Sequence, residues 1–208
     1  MINKKFSLSI LIRTLVVSLV LGFSCSISHA DSALFTFDTD TVGTNTPFTD
    51  TNNGVSATFS SSGDPGGFTI TTSFFQSLTG NVLYDPGPAG LSNLDLNITF
   101  SQPVIFVSLD FALDTSDTTV PLVIQEGAYS SSATGVIPAG YTFPEGSLSS
   151  YFYPGFTGPF ILSTTALNFA VDNVYVETAA VPEPTTMFLL GSGLIGLSGY
   201  GRKKFFGK

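Results

Sequence analysis

The chain has 208 residues, 43% of them hydrophobic, and a formal net charge of −8 at pH 7. All seven Lys and Arg, the single His and the single Cys lie outside residues 31–181, a stretch with eleven Asp, three Glu and no Trp. That stretch has no ordinary base for a serine nucleophile, no thiol, no His or Cys for zinc, and no disulfide. At a formal charge of about −14 it repels polyanions, so nucleic acid is excluded as a partner. Carboxylate, hydroxyl, amide and phenol groups remain, which suit hard-cation coordination, sugar hydrogen bonding or a two-carboxylate glycosidase.

Residues 1–30 read as a secretory signal peptide. Lys4, Lys5 and Arg13 are basic, Leu15–Phe23 is an apolar core, and Ser28-His29-Ala30 offers small residues at the cleavage positions. The mature chain is expected to begin at Asp31, after a cut following Ala30. The Sec translocon and signal peptidase are the partners this implies. Cys25 offers a lipoprotein alternative, but Gly22-Phe23-Ser24 lacks the leucine usual three places before a lipidated cysteine.

Short alternating runs broken by Gly, Pro, Asn, Asp and Ser follow. They predict strands at 33–38, 55–60, 68–72, 81–84, 94–101, 104–113, 120–125, 148–153, 160–163 and 166–177. Leu94-Asp95-Leu96-Asn97-Ile98-Thr99-Phe100-Ser101 has a strict period of two, and Ile105, Val107, Leu109 and Phe111 repeat it in the next strand. Segments 60–67, 85–90 and 139–146 read as loops. No stretch shows sustained helical periodicity. Ten short strands with fifteen Phe among them predict an all-β, antiparallel, jelly-roll-like β-sandwich, its Phe filling the space between two sheets.

Several constellations carry candidate chemistry. If the first and last strands are neighbours, Asp38 and Asp40 come near Asp172 and Asn173. The run Phe169-Ala170-Val171-Asp172-Asn173-Val174 resembles the terminal strand of MAM-type and carbohydrate-binding jelly rolls. In those folds such a run often accompanies a structural calcium, which takes oxygen ligands. The bland alternative is that Asp172 and Asn173 bond backbone at a bulge. Asp110, Asp114 and Asp117 offer a second cation site or a sugar-facing patch, against a plain solvated turn. Tyr151 and Tyr153, with Tyr129 and Tyr141 upstream, can stack on sugar rings or simply pack across a sheet. Glu126 and Glu145 are candidate glycosidase carboxylates, but no spacing selects a pair, and the domain is expected to be no enzyme. Asn97-Ile98-Thr99 fits a glycosylation sequon by coincidence.

The tail reads VPEPTTMFLLGSGLIGLSGYGRKKFFGK from Val181. Pro182 and Pro184 flank Glu183 and end the domain in an extended segment. The uncharged run from Thr185 to Gly201 is about seventeen residues, roughly 25 Å as a helix, near the lower limit for a bilayer span. Arg202, Lys203 and Lys204 then predict a cytoplasmic C-terminus. On these residues alone a plain anchor with a proline spacer stays open. VPEP at 181–184, the Gly-rich span and the RKK end together resemble the PEP-CTERM sorting signal of Gram-negative bacteria. That resemblance implies recognition and cutting by an exosortase, a membrane cysteine transpeptidase, and delivery to an envelope rich in exopolysaccharide.

The expected organisation is a signal peptide at 1–30, a β-sandwich at 31–180 and a sorting signal at 181–208. A signal helix and a transmembrane helix flank the sandwich. The expected function is that of a non-enzymatic surface or matrix protein associated with exopolysaccharide and biofilm. A calcium-stabilised carbohydrate-binding module is the alternative, and a glycosidase ranks below it.

Overall fold

Alternation decides which face each strand buries. In the strand Val104–Leu113, Val107, Leu109, Phe111 and Leu113 are buried, while Ser108 and Asp110 point the other way. The computed structural model describes residues 30–62, 67–87, 94–180 and 191–193. Ala30–Ala179 form one compact unit; of the second unit, made of the two terminal segments, only Ala180 and a helical turn at 191–193 are described. Among the described residues no helix is long and apolar enough to cross a membrane.

The unit is built of twelve strands. They are β1 (Ser32–Phe35), β2 (Phe48–Asn52), β3 (Val55–Ser61), β4 (Thr69–Thr72), β5 (Asn81–Tyr84) and β6 (Leu96–Phe100). They continue with β7 (Val104–Leu113), β8 (Pro121–Glu126), β9 (Tyr129–Thr134), β10 (Glu145–Phe156), β11 (Phe160–Thr164) and β12 (Phe169–Thr178). One six-stranded sheet runs β10-β7-β12-β5-β4, with β1 pairing the rest of β12; the other runs β2-β3-β6-β11-β8-β9. Every pairing is antiparallel. The fold is the all-β sandwich that the alternation predicts.

Phenylalanines join the two sheets. Phe35 of the first sheet meets Phe59 and Phe100 of the second at ring-centroid distances of 6.1 and 6.4 Å. Phe152 and Phe160 meet edge-on at 4.9 Å. Such pairs contribute beyond the area they bury, so a domain without disulfides or ion pairs concentrates its stability here.

Two strands escaped the sequence pattern. β2 (FTDTN) and β9 (YSSSAT) are the two edges of the second sheet and are largely exposed, so neither shows an apolar stripe. β10 begins three residues earlier than expected, because Glu145 and Gly146 pair with Ala112 and Phe111 without any apolar signal of their own. β1 stops at Phe35, short of the expected 38. Phe37 adopts a left-handed φ of 55°, and Asp40 N–H donates to its carbonyl at 2.9 Å, turning the chain out of the sheet.

The last strand brings the two ends of the domain together. Asp31 N–H donates to Thr178 Oγ1 at 3.0 Å, and Thr178 N–H donates to the Asp31 carbonyl at 2.8 Å. Phe59 is fully buried between the sheets, and Phe59→Ala should cost about 3–5 kcal/mol in denaturant unfolding. Leu34→Ala on the outer face should cost well under that, about 0.5 kcal/mol. Equal losses would contradict the placement of the core.

Candidate functional site

The outer face of the first sheet is divided in two by a segment that crosses it. Residues 73–80 lay Phe75 and Leu78 over Val82, Ala112 and Ala170, with Tyr84 and Phe143 at the border. Glu145 holds that segment. Its carboxylate accepts the N–H groups of Gln76 and Ser77 at 2.8 and 2.6 Å, and the Ser77 hydroxyl as well. Asp38 ties the far end, accepting Asn81 N–H at 2.9 Å. Gly80 is required beside it. Its φ is +76°, and a Cβ there would fall 1.8 Å from Asp38 Oδ1.

Next to the covered half runs an acidic row. Asp172 of β12 and Asp110 of β7 are direct cross-strand partners. From Asp172 to Tyr175 β12 advances three residues while β7 advances two, from Asp110 to Ser108. The extra residue is Asn173, at a φ of 50°. Its N–H donates to Asp172 Oδ1 at 2.7 Å and its side-chain amide to Asp110 Oδ2 at 3.0 Å. Ser147 Oγ donates to the other Asp110 oxygen at 2.6 Å. Burial pushes the Asp172 carboxyl up to about 7; the Asn173 N–H opposes that rise, and the charges of Asp38 and Asp110 add to it.

The structure thus gathers Asp38, Asp172 and Asn173 and adds Asp110, which the sequence had grouped with Asp114 and Asp117. Asp40 goes elsewhere. Its carboxyl is raised by burial and then by Asp50, and its Oδ2 is buried without a hydrogen-bond partner. Asp114 accepts from the Asn168 amide at 3.2 Å. Asp117 takes the N–H and hydroxyl of Thr119, which lower its pKa; this is a turn. Among the described residues no group of three or more His, Cys, Asp or Glu is disposed to hold a metal ion. Glu126 and Glu145 lie in different sheets.

Beyond the acidic row no described segment packs over the sheet. Tyr151 of β10 pairs with Phe106 of β7, which pairs with Glu177 of β12, which pairs with Ser32 of β1. Tyr151 is 75% exposed, and its ring lies 4.6 Å from that of Phe106. Phe106 in turn meets Tyr175 at 6.1 Å, and the Tyr175 hydroxyl donates to Glu177 Oε1 at 3.1 Å. Tyr153 is also exposed, but its carbonyl accepts from the Tyr129 hydroxyl at 3.0 Å and no ring braces it. Tyr141 stands apart, in the segment between β9 and β10. Phe106 and Tyr175 were missed by the sequence reading. Their signal is an aromatic in the outward phase of an otherwise alternating strand.

The two processing sites differ in what is described. Ala30 and Asp31 are exposed at the start of the unit. Val181, Pro182, Glu183, Pro184, Arg202, Lys203 and Lys204 lie outside the described residues, as does the predicted span apart from 191–193.

The raised Asp172 pKa has a definite sign. The folded state holds this proton more tightly than the unfolded chain, whose Asp titrates near 3.8, so stability present in acid is lost as pH rises toward about 7. The denaturant midpoint should fall between about pH 4 and about pH 7.5, and Asp172→Asn should flatten the fall. An unchanged slope in Asp172→Asn contradicts the assignment.

Residues 180–204 match the family described as the PEP-CTERM protein-sorting motif. No curated protein matches the chain. Among solved structures, a cleaved adhesin domain of Lys-gingipain from Porphyromonas gingivalis is similar at 10% identity and a TM-score of 0.41, over 71% of this chain and 98% of that one. A family 29 carbohydrate-binding module is 12% identical over 73% of this chain and 90% of its own, with a TM-score of 0.35. The catalytic domain of a GH87 α-1,3-glucanase is 13% identical over 69% of this chain and 30% of its own, with a TM-score of 0.33. Likenesses that distant carry no function across. The chain is a two-sheet β-sandwich protein that carries the PEP-CTERM protein-sorting motif at residues 180–204.

Proposed function

We propose that this chain is a non-enzymatic exosortase substrate, displayed at the surface or in the exopolysaccharide matrix of a Gram-negative bacterium. It crosses the inner membrane through the Sec translocon and loses residues 1–30 to signal peptidase. The span 185–201 holds it until an exosortase cuts near Val181-Pro182-Glu183-Pro184. One observation carries this reading: the motif match begins at 180, one residue past the compact unit that ends at Ala179. The Ala179 N–H still donates to the Pro103 carbonyl at 2.7 Å, so a cut after 181 removes no residue of the sandwich. The absence of Lys, Arg, His and Cys from 31–181, and the commitment of Glu145 to holding a segment, support a domain without catalysis.

Replacing Pro182-Glu183-Pro184 by alanines should leave uncut precursor in the inner membrane, seen by fractionation and blotting. Processing at the wild-type level contradicts the sorting role.

A calcium-stabilised carbohydrate-binding module is the second reading, favoured by the acidic row. The charges of Asp38 and Asp110 both raise the Asp172 carboxyl, and although no three acidic groups among the described residues converge on one point, carboxylate and amide oxygens are the ligand type that calcium takes. Binding at Asp172 would displace the proton it holds near neutral pH. Calcium should raise the melting temperature above its value in excess chelator, and Asp172→Asn should remove the difference. Equal melting with calcium and with chelator contradicts the cation.

A further inference from the structure

We infer that the uncovered half of the outer face of the first sheet binds an uncharged polysaccharide, with Tyr151 as the ring on which a sugar stacks. The inference rests on the reading of the sandwich as a body displayed among polysaccharide, and it names the chemical class of its partner.

Three observations point to that class. The first is mechanical. Tyr151 is exposed, yet Phe106 braces its ring at 4.6 Å and Tyr175 braces Phe106 at 6.1 Å, so the ring is held by packing before a ligand arrives. A pre-oriented aromatic gives contact area at little entropic cost. The second is the polar border. Glu177 takes only one hydrogen bond from Tyr175 at its Oε1, which leaves carboxylate lone pairs for sugar hydroxyls. Ser149 and Ser108 form the next cross-strand pair, and the outward phase of β10 carries the Ser149 hydroxyl beside Tyr151. The third is charge. With no Lys, Arg or His in residues 31–181, an acidic polysaccharide would meet fourteen carboxylates and no cation. Only a chain without carboxylate or sulfate groups escapes that repulsion.

The face also has a built limit. Glu145 and Asp38 fasten segment 73–80 over the other half of the sheet, so a ligand is confined to the rows of Tyr151 and Ser149. Tyr153 lies outside the braced set, which makes it a control on the same strand.

The test is affinity electrophoresis of the full chain in detergent micelles. The gels contain hydroxyethyl cellulose, a β-1,3-glucan or a galactomannan, with a polyuronate gel and zwitterionic phospholipid vesicles as parallel arms. At least one uncharged polysaccharide should retard the protein, and Tyr151→Ala should weaken that retardation about tenfold. Tyr153→Ala should leave it unchanged. Tyr151 is exposed, so its truncation spares the fold, and an unchanged melting temperature documents that. Phe106→Leu, which removes the brace and keeps the volume apolar, should weaken retardation as well. Retardation by the polyuronate alone, association with vesicles alone, no retardation in any gel, or wild-type retardation of Tyr151→Ala overturns the inference. If the tail proves uncut while Tyr151-dependent retardation holds, the display reading falls and this one stands. If sorting proceeds normally and no gel retards the protein, the reverse is true.

Discussion

The folded unit holds no Lys, Arg or His, so none of its carboxylates has a cation within the unit to pair with, and that constraint shapes the rest of the structure. Several acidic groups take backbone N–H, hydroxyl or amide donors instead. Glu145 finds the backbone of segment 73–80, Asp38 finds Asn81, Asp110 finds Ser147 and Asn173, and Asp117 finds Thr119. Half of these donor residues lie in turns or loops and Asn173 lies at a bulge, so the acidic residues become the pins that hold loops and bulges in place. At Asp172 burial outweighs the Asn173 N–H, and the carboxyl pKa is raised to about 7.

The same pins divide the outer face of the first sheet. Glu145 and Asp38 hold a cover over half of one sheet, and the acidic row forms its border. The other half is left open, with Tyr151 standing on Phe106. Stability is supplied elsewhere, by Phe contacts between the sheets, so the open face is free to vary without loosening the core. The bond of Asp31 to Thr178 sets both ends of the domain side by side, next to the start of the sorting motif.

The parts legible in the sequence were those where one side of a strand is buried. The strands 81–84 and 104–113 came out with their observed bounds because Val, Leu and Phe alternate or cluster there. The edges β2 and β9 were illegible because an edge strand buries too little to need a stripe. Asp172 and Asn173 were legible as the residues of a bulge, but their partner Asp110 lies about sixty residues back in the chain, which no local pattern encodes. Tyr151 was legible only as a ring that either stacks on a sugar or packs across the sheet; its exposure and its braces were not, since Phe106 and Tyr175 read as ordinary strand aromatics. The sorting motif was legible, because its order of proline break, apolar run and basic end is local in the chain.

The central claim is that a cation-free sandwich leaves the cell after losing both of its basic ends. Intact-mass analysis of the protein recovered from the cell surface or medium tests it most directly. The account predicts a chain that begins at Asp31 and ends between 181 and 185. A recovered protein that still carries Arg202-Lys203-Lys204, or one that begins at an acylated Cys25, would contradict it.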